Sequence, residues 1–251
     1  MIRSHRLLRP AVLTATLAAT LAIAGCSSSG GDTGSGRAAA PAASSSAPSK
    51  PTDPSKFVSD SLDAFEGAPS AHVSGSGESD GGSFSLDIKY GDHAAIGTIT
   101  TQGKRVELTR TADGTTYLKG GADFWSSSGI PAGVVAALAD KYVKVSEDAA
   151  GFAALAKLLD RSQFVDAFRP SDSDLDGSEV TGPKQVDGVS CFGVVDSGSD
   201  GGSFYAAADG TPYPVQLTNT GEGTLDFDGY TDTVDVPTPD PSEVVEFPSD
   251  S

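Results

Sequence analysis

The sequence predicts an α+β fold, in which a curved antiparallel β-sheet packs over a few helices. Three observations lead to this class: two groups of alternating apolar and polar runs, short glycine- and aspartate-rich turns between the runs, and a helical stretch that separates the two groups. Because the apolar face of a wide sheet must be covered and few helices are available, the sheet is expected to curve. The length suits one folded domain, which we predict over residues 53–247.

The first element of this domain is a short amphipathic helix. Asp53 is suited to cap its N-terminus and Pro54 to occupy its first turn, while Gly67 and Pro69 end it. The apolar stripe of this helix consists of Phe57, Val58, Leu62 and Phe65. Such a stripe can cover part of a sheet face.

The first strand group follows, with apolar residues at every second position of 83–90 and 105–109 and a short apolar run at 117–118. Gly91, Gly103 and Gly114 lie between these runs, and such short turns predict an antiparallel meander. The stretch SGSGESDGG, residues 74–82, is interpreted as a hairpin and turn, because no helix follows it as a nucleotide-binding loop would require.

Two amphipathic helices are predicted in the middle of the domain, over residues 131–144 and 149–168, and Arg169-Pro170 ends the second one. The strands that follow are predicted over 189–195, 204–208, 213–217 and 225–228. Residues 189–195 are apolar on both faces, which indicates a central strand. The proline- and acid-rich tail from Pro237 is expected to run over the surface, with residues 248–251 disordered.

The N-terminus has the pattern of a bacterial lipoprotein signal. Three arginines precede an uncharged run, residues 11–24, that is shorter than the roughly 18 apolar residues of a membrane-spanning helix. Ile23-Ala24-Gly25-Cys26 resembles a lipobox, which implies a diacylglycerol on the Cys26 sulfur, cleavage before it, and a stable anchor once further acyl chains such as palmitate are present. Residues 1–25 are thus a predicted signal peptide, with a plain secreted protein as the alternative.

Residues 26–52 are a predicted flexible tether, rich in Ser, Gly, Ala and Pro, whose root-mean-square span is about 25–30 Å. Residues 1–25 hold three arginines and no acid, so the net charge of −17 becomes −20 after cleavage. Such a charge argues against nucleic acid as a partner and offers no polybasic attraction to anionic lipid. The anchor must therefore supply the contact with the cell membrane, on its extracytoplasmic face, and we expect a monomer.

Motifs that carry chemistry are scarce. Cys191 is the single cysteine left after lipidation, and its apolar neighbours indicate a buried, unreactive thiol without a disulfide partner. No nucleophile elbow, zinc-protease motif or phosphate loop occurs, so we predict no catalytic residue and no cofactor. A weak calcium candidate is formed by Asp172, Asp174 and Asp176, but position twelve of that loop is Pro183 rather than Glu, which favours an acidic surface loop.

The order of elements resembles the LppX/LprAFG family of actinobacterial lipoproteins, which are relatives in fold of the LolA and LolB lipoprotein carriers. The resemblance is carried by the lipobox with its low-complexity tether, the first helix, the segment ADGTTYLKGGADFW (residues 112–125) before the helices, and the final hairpins from residue 208 to 239 with their FDGY sequence. It implies a half-barrel of antiparallel strands wrapped over helices, with an apolar cavity between the two. It also implies a lipid or glycolipid cargo.

We therefore expect a non-enzymatic, lipid-anchored protein that binds or carries a hydrophobic ligand. The alternative is a solidly packed surface interaction or sensor module without lipid cargo, and a hydrolase is a third, weaker hypothesis. A continuous apolar void larger than a few hundred Å³ favours carriage. The candidate cavity residues come from the apolar strand faces and one tryptophan: Phe84, Leu86, Ile88, Val106, Leu108, Trp125, Phe204, Val215, Leu217, Leu225 and Phe227. The apolar side of the helix at 152–165 is expected to line or gate the entrance.

Overall fold

The computed structural model describes residues 48–79, 82–146, 152–170, 175, 177–195, 201–219 and 223–247. The predicted signal peptide, Cys26, most of the tether and the calcium candidate Asp172, Asp174 and Asp176 lie outside these ranges. Within them, no helix reaches the length and apolarity that crossing a bilayer demands. The described helices are α1 (Pro54–Glu66), α2 (Ala122–Ser127), α3 (Ala132–Leu138), α4 (Ala153–Leu158) and α5 (Arg161–Phe168).

All the described strands join one sheet. They are β1 (Ala71–Ser79), β2 (Gly82–Tyr90), β3 (Ala95–Thr101), β4 (Lys104–Arg110), β5 (Thr116–Gly120), β6 (Tyr142–Val145), β7 (Glu179–Val186), β8 (Val189–Val195), β9 (Gly202–Ala207), β10 (Pro214–Asn219), β11 (Gly223–Asp228) and β12 (Val244–Glu246). Their order is β12-β6-β5-β4-β3-β2-β1-β11-β10-β9-β8-β7, so the sheet is open at β12 and β7. Neighbours are antiparallel except β12, which runs parallel to β6. The predicted α+β class, with a curved half-barrel sheet against helices, is confirmed.

The helix α1 begins as its sequence predicts. The side chain of Asp53 accepts a hydrogen bond from the Lys56 backbone N–H at 3.0 Å, and Pro54 stands in the first turn. All four predicted apolar residues of α1 are buried. The ring of Phe65 packs against Tyr90, Phe164 and Phe227 with centroids 5.7–5.9 Å apart, so α1 and α5 meet the sheet through one aromatic cluster.

The predicted helix over residues 131–144 is wrong in its second half. Asp140 has a positive φ of 57°, its N–H donates to the Gly120 carbonyl at 2.9 Å, and the chain then continues as strand β6. The predicted helix over 149–168 is two helices, because Asp160 caps α5 by accepting from the N–H groups of Ser162 and Gln163. The predicted end of this segment at Arg169-Pro170 is confirmed.

The sheet differs from the predicted strands in several places. Residues 71–79, which include most of the stretch interpreted as hairpin and turn, form β1, and β7 was not predicted at all. The tail does not only cover the surface, since residues 244–246 form β12. Strand β8 is second from an edge rather than central. Its two apolar faces are explained by the main core on one side and, on the other, by a small cluster of Val186, Cys191, Tyr205 and Val215.

Candidate functional site

Cross-strand neighbours in the centre of the sheet form rows of side chains on the face that carries the main core. One row, next to the ends of the strands, runs Thr101, Phe84, Gly77, Gly223, Asn219 and Gly202. The second row runs Ile99, Leu86, Gly75, Leu225, Leu217 and Phe204. The third row includes Ile88, Val73 and Phe227, which are all fully or almost fully buried. The side chains therefore become smaller from the third row to the first row, towards one end of these strands. We call the side of the sheet formed by these strand ends the mouth edge.

Glycine is required in the second row. A Cβ atom on Gly75 would lie 2.2 Å from the carbonyl oxygen of Thr224, so no larger residue fits there without a backbone shift. With Gly77 and Gly223 in the first row, three positions on β1 and β11 offer no side chain to fill the space between sheet and helices. The sheet is thus bare where it approaches the mouth edge.

A cavity of about 810 Å³ occupies this space. Its walls come from β2, β3, β9, β10, β11, α4 and the end of α5, and the described lining residues are Phe84, Leu86, Ile99, Thr101, Leu155, Leu158, Phe168, Gly202, Leu217, Thr218, Asn219, Gly223, Thr224 and Leu225. None of these residues has an ionisable side chain. The lining can hold an apolar molecule by burial, and its polar members are the neutral residues at the strand ends.

The large apolar side chains around the cavity are incompletely covered. Six of them are only half-buried, namely Phe84, Leu86, Leu155, Leu158, Phe168 and Leu217. By contrast, side chains one or two rows deeper, such as Ile88 and Leu108, have no exposed surface. Apolar surface left open in a concave site is stabilised when an apolar ligand removes it from water.

A second, smaller cavity of about 170 Å³ adjoins the first. The two share the lining residues Phe168, Gly202 and Leu217. The smaller one continues between α1, α5 and strands β8 to β11, where Phe204 and Phe227 line it. Apolar space therefore extends from the mouth edge towards the aromatic cluster around Phe65.

The structure brings some of the candidate cavity residues together and leaves others elsewhere. Phe84, Leu86, Leu217 and Leu225 line the larger cavity, and Phe204, Leu217 and Phe227 line the smaller one. Four candidates are fully buried core residues that line neither cavity: Ile88, Val106, Leu108 and Trp125. The indole N–H of Trp125 donates to the Gly120 carbonyl at 2.9 Å, and its ring packs on Phe124 and Phe152.

Val215 lies on the opposite face of the sheet. The register between β9 and β10 shifts between Pro214 and Gln216, so Val215 is an extra residue at a β-bulge. It therefore joins the cluster of Val186, Cys191 and Tyr205 instead of sharing a face with Leu217. Regular alternation along residues 213–217 gave no sign of this shift.

Several lining residues were not individually predicted. Ile99 and Thr101 belong to β3, which the sequence pattern did not resolve, and Phe168 closes the second predicted helix. The sequence did contain one signal for the location of the cavity. Ser and Gly alternate in residues 74–77, which puts glycine at successive positions of one strand face. Leu155 and Leu158 belong to the helical segment that was expected at the entrance.

The opposite edge of the sheet has a polar depression of about 630 Å³. The Arg161 guanidinium lies in it and donates to three backbone carbonyls, those of Glu66 (3.3 Å), Gly91 (2.6 Å) and Ala68. Burial lowers the pKa of this guanidinium, and burial also raises the pKa of Tyr90, whose hydroxyl donates to the Leu158 carbonyl at 2.6 Å. The hydrogen bonds of Arg161 connect α1, α5 and the β2–β3 turn.

Other titratable groups stand apart from the cavity. Cys191 is fully buried, as predicted, and burial raises the pKa of its thiol. The two ring nitrogens of His72 lie 2.9 Å from Asp228 and 3.2 Å from Asp87. Neither His72 nor Cys191 lines the cavities, and among the described residues no group of three or more His, Cys, Asp or Glu is arranged to hold a metal.

Comparisons with known proteins give structural matches only. Neither a scan against protein-family models nor a search of curated proteins finds a match. LprF from Mycobacterium bovis is similar at 14% identity and a TM-score of 0.48, over 76% of this chain and 99% of LprF. The lipoprotein LppX from Mycobacterium tuberculosis is similar at 18% identity and a TM-score of 0.43, over 73% of this chain and 97% of LppX. Both are lipoproteins of the family that the sequence resembles.

Proposed function

We propose that this chain is a lipid-anchored protein of the extracytoplasmic membrane face, which binds an alkyl-chain lipid or glycolipid in the apolar cavity. The observation that carries the proposal is a cavity of about 810 Å³, whose described lining residues include none with an ionisable side chain and which has half-buried leucines and phenylalanines around it. This volume lies within the roughly 300–1,000 Å³ of small-molecule sites. An apolar space of this size favours carriage over the alternative of a solidly packed interaction module.

The mechanism is physical rather than chemical. Each methylene group that moves from water into the cavity contributes about 0.8 kcal/mol, so ten methylenes supply about 8 kcal/mol before the entropic costs of binding. The neutral Thr101 and Asn219, at the strand ends, are suited to the ester, amide or sugar part of a lipid. Helix α4, which lines the cavity through Leu155 and Leu158, is the part of the helical cover that would move for the ligand to enter.

The anchor completes this function. Acylation of Cys26 holds the chain at its membrane, and the tether of residues 26–52 places the domain at a root-mean-square distance of about 25–30 Å from that attachment. A carrier in this position takes its ligand from the bilayer to which it is fixed. We expect the ligand to be a molecule with at least one long alkyl chain.

The proposal is tested by blocking the cavity. We expect Leu86→Trp, in the cavity wall, to reduce the lipid that mass spectrometry detects in organic extracts of the domain, purified without its anchor from its own host. Lys89→Trp is the matched control, because it lies on the same strand with an exposed side chain. Titration with cis-parinaric acid, a fluorescent fatty acid, should show at least tenfold weaker binding for Leu86→Trp than for Lys89→Trp.

A second pair protects the test against misfolding of the strand variant. Leu155→Trp fills the same cavity from α4, and Ala154→Trp adds an equal side chain at an exposed position of that helix. Circular dichroism must show both variants folded. Identical lipid extracts and identical cis-parinaric acid affinities across both pairs would contradict the proposed function.

A further inference from the structure

The chain enters the folded domain at a defined point. The Lys50 ammonium donates a hydrogen bond to the carbonyl of Val180 at 2.9 Å. Val180 is the second residue of β7, and the first residue of β7, Glu179, pairs with Val195 at the end of β8. Lys50, three residues before the α1 cap at Asp53, therefore lies at the edge of the sheet where β8 ends.

This edge is the mouth edge. Val195 is paired with Ser203, next to Gly202 at the start of β9, and Gly202 lines the cavity. From there the strand ends follow one another through Asn219 and Gly223, which both line the cavity as well. The point at which the tether reaches the domain and the opening of the cavity thus share one edge of the sheet.

The direction of helix α1 also indicates that the chain before the domain emerges at the mouth edge. Near its start, the ring of Phe57 packs against Phe204, two residues into β9, with centroids 6.3 Å apart. Its last residue, Glu66, is held by Arg161 beside the β2–β3 turn at the opposite edge. The helix therefore runs away from the mouth edge, and the chain before it emerges on the cavity side.

We propose that the mouth edge is the surface with which this protein contacts the phospholipid bilayer that anchors it. The proposal rests on the proposed function for the acylation of Cys26. Residues 27–49 separate that cysteine from Lys50, and a chain of this length and composition spans about 25–30 Å. Because the tether joins the domain at the mouth edge, the path from Cys26 to this edge is shorter than the path to the opposite edge. The mouth edge then faces the bilayer, and a lipid passes between bilayer and cavity without crossing bulk water.

From β7 to β4, the described residues of the mouth edge carry charges of both signs, namely those of Lys50, Lys104, Arg105, Glu78 and Glu179. The proposal does not rest on a charge of one sign. The orientation follows from the position of the tether, so it should appear on vesicles of zwitterionic phosphatidylcholine. A requirement for anionic lipid would overturn the proposal.

The test measures which edge of the domain lies near lipid. The full acylated protein is incorporated into phosphatidylcholine vesicles that contain nitroxide-labelled lipid, which quenches nearby fluorophores. A maleimide dye is attached to Arg105→Cys at the mouth edge or to Asp92→Cys at the β2–β3 turn; both parent side chains are exposed. Cys191 is fully buried and the Cys26 sulfur is acylated, so the dye reacts at the new cysteine.

We expect the nitroxide lipid to quench the dye at position 105 at least threefold more strongly than the dye at position 92. Equal quenching, or stronger quenching at position 92, would overturn the proposal. So would a concentration-dependent spectral shift of the dye at position 105 in a Cys26→Ser protein without vesicles, because the mouth edge would then meet a second copy of this chain.

The outcome is separable from that of the proposed function. Binding of cis-parinaric acid is measured on the domain without its anchor and does not depend on orientation. Normal binding with equal quenching at both positions overturns the orientation alone. Strong quenching at position 105 without fatty-acid binding supports the orientation and contradicts the proposed function.

Discussion

At the scale of single residues, Asp160 has the clearest electrostatic role. It caps α5 by accepting from the N–H groups of Ser162 and Gln163, and it lies 3.2 Å from the Arg110 guanidinium. Burial would raise the pKa of this carboxyl, but the hydrogen bonds from Ser162 and Gln163 and the charge of Arg110 outweigh burial and hold the pKa below its ordinary value. Its ionised form therefore stabilises the folded state.

Asp160→Asn should make the stability of the domain less dependent on pH in the acidic range. Asn retains the capping acceptor but loses the charge. Because the folded-state pKa of Asp160 is depressed, its contribution is complete above the unfolded value of about 3.9 and is lost as pH falls through the folded value. Urea unfolding should show wild type more stable than the variant at pH 6, with a smaller difference at pH 3. A difference independent of pH would refute this role.

Single glycines explain why the cavity was difficult to predict at this scale. Gly75 and Gly77 alternate with serines in residues 74–77, and the same composition is typical of turns. Only the register with Leu225 and Leu86 reveals that Gly75 stands between two large side chains on one face. The sequence contains the small residues of the cavity, while pairing across strands decides which of them meet.

At the scale of elements, the sequence predicted those features of helices and strands that depend on neighbouring residues in the chain. The proline and cap of α1, the alternation of β2 and the end of α5 before Pro170 are set by neighbours in the chain. Strand β12 is different, because its three residues form a strand only by pairing with β6, about a hundred positions away. A proline-rich tail has no local property that indicates such a partner.

The pairing of β12 with β6 predicts a structural role for the tail. Phe247 follows β12 and packs on the buried ring of Phe152, with centroids 5.3 Å apart. Phe247→Ala should lower the free energy of unfolding by about 1–3 kcal/mol, since the ring is only half-buried. It should also speed amide exchange in β6, where Lys144 accepts from the Phe247 N–H.

A matched phenylalanine separates this role from ligand binding. Phe84 is also half-buried but lines the larger cavity. Phe84→Ala should weaken cis-parinaric acid binding and leave amide exchange in β6 unchanged. Phe247→Ala should leave cis-parinaric acid binding unchanged and speed amide exchange in β6. Unchanged exchange in β6 after loss of Phe247 would contradict the assignment of the tail to the fold.

At the scale of the whole molecule, the sequence predicts the class of fold and leaves the state of its interior open. Alternating apolar residues face the helices whether the intervening space is filled or empty, so Ile88 and Leu86 look alike in sequence although one is fully buried and the other lines the cavity. One difference lies across the strands, where Leu86 pairs with Gly75 and Ile88 pairs with Val73. That pairing is a property of the assembled sheet.

Because the cavity exists only in this assembly, a ligand that fills it should raise the unfolding temperature of the whole domain. A ligand that binds only the folded chain adds about 2.7 kcal/mol at a free concentration of 100 times its Kd. For a domain of this size the gain corresponds to roughly 5–10 °C, measured by scanning calorimetry with cis-parinaric acid. Ala154→Trp should retain this rise and Leu155→Trp should lose most of it, since only Leu155 lines the cavity. Equal rises in the two variants would mean that the fatty acid binds elsewhere on the domain.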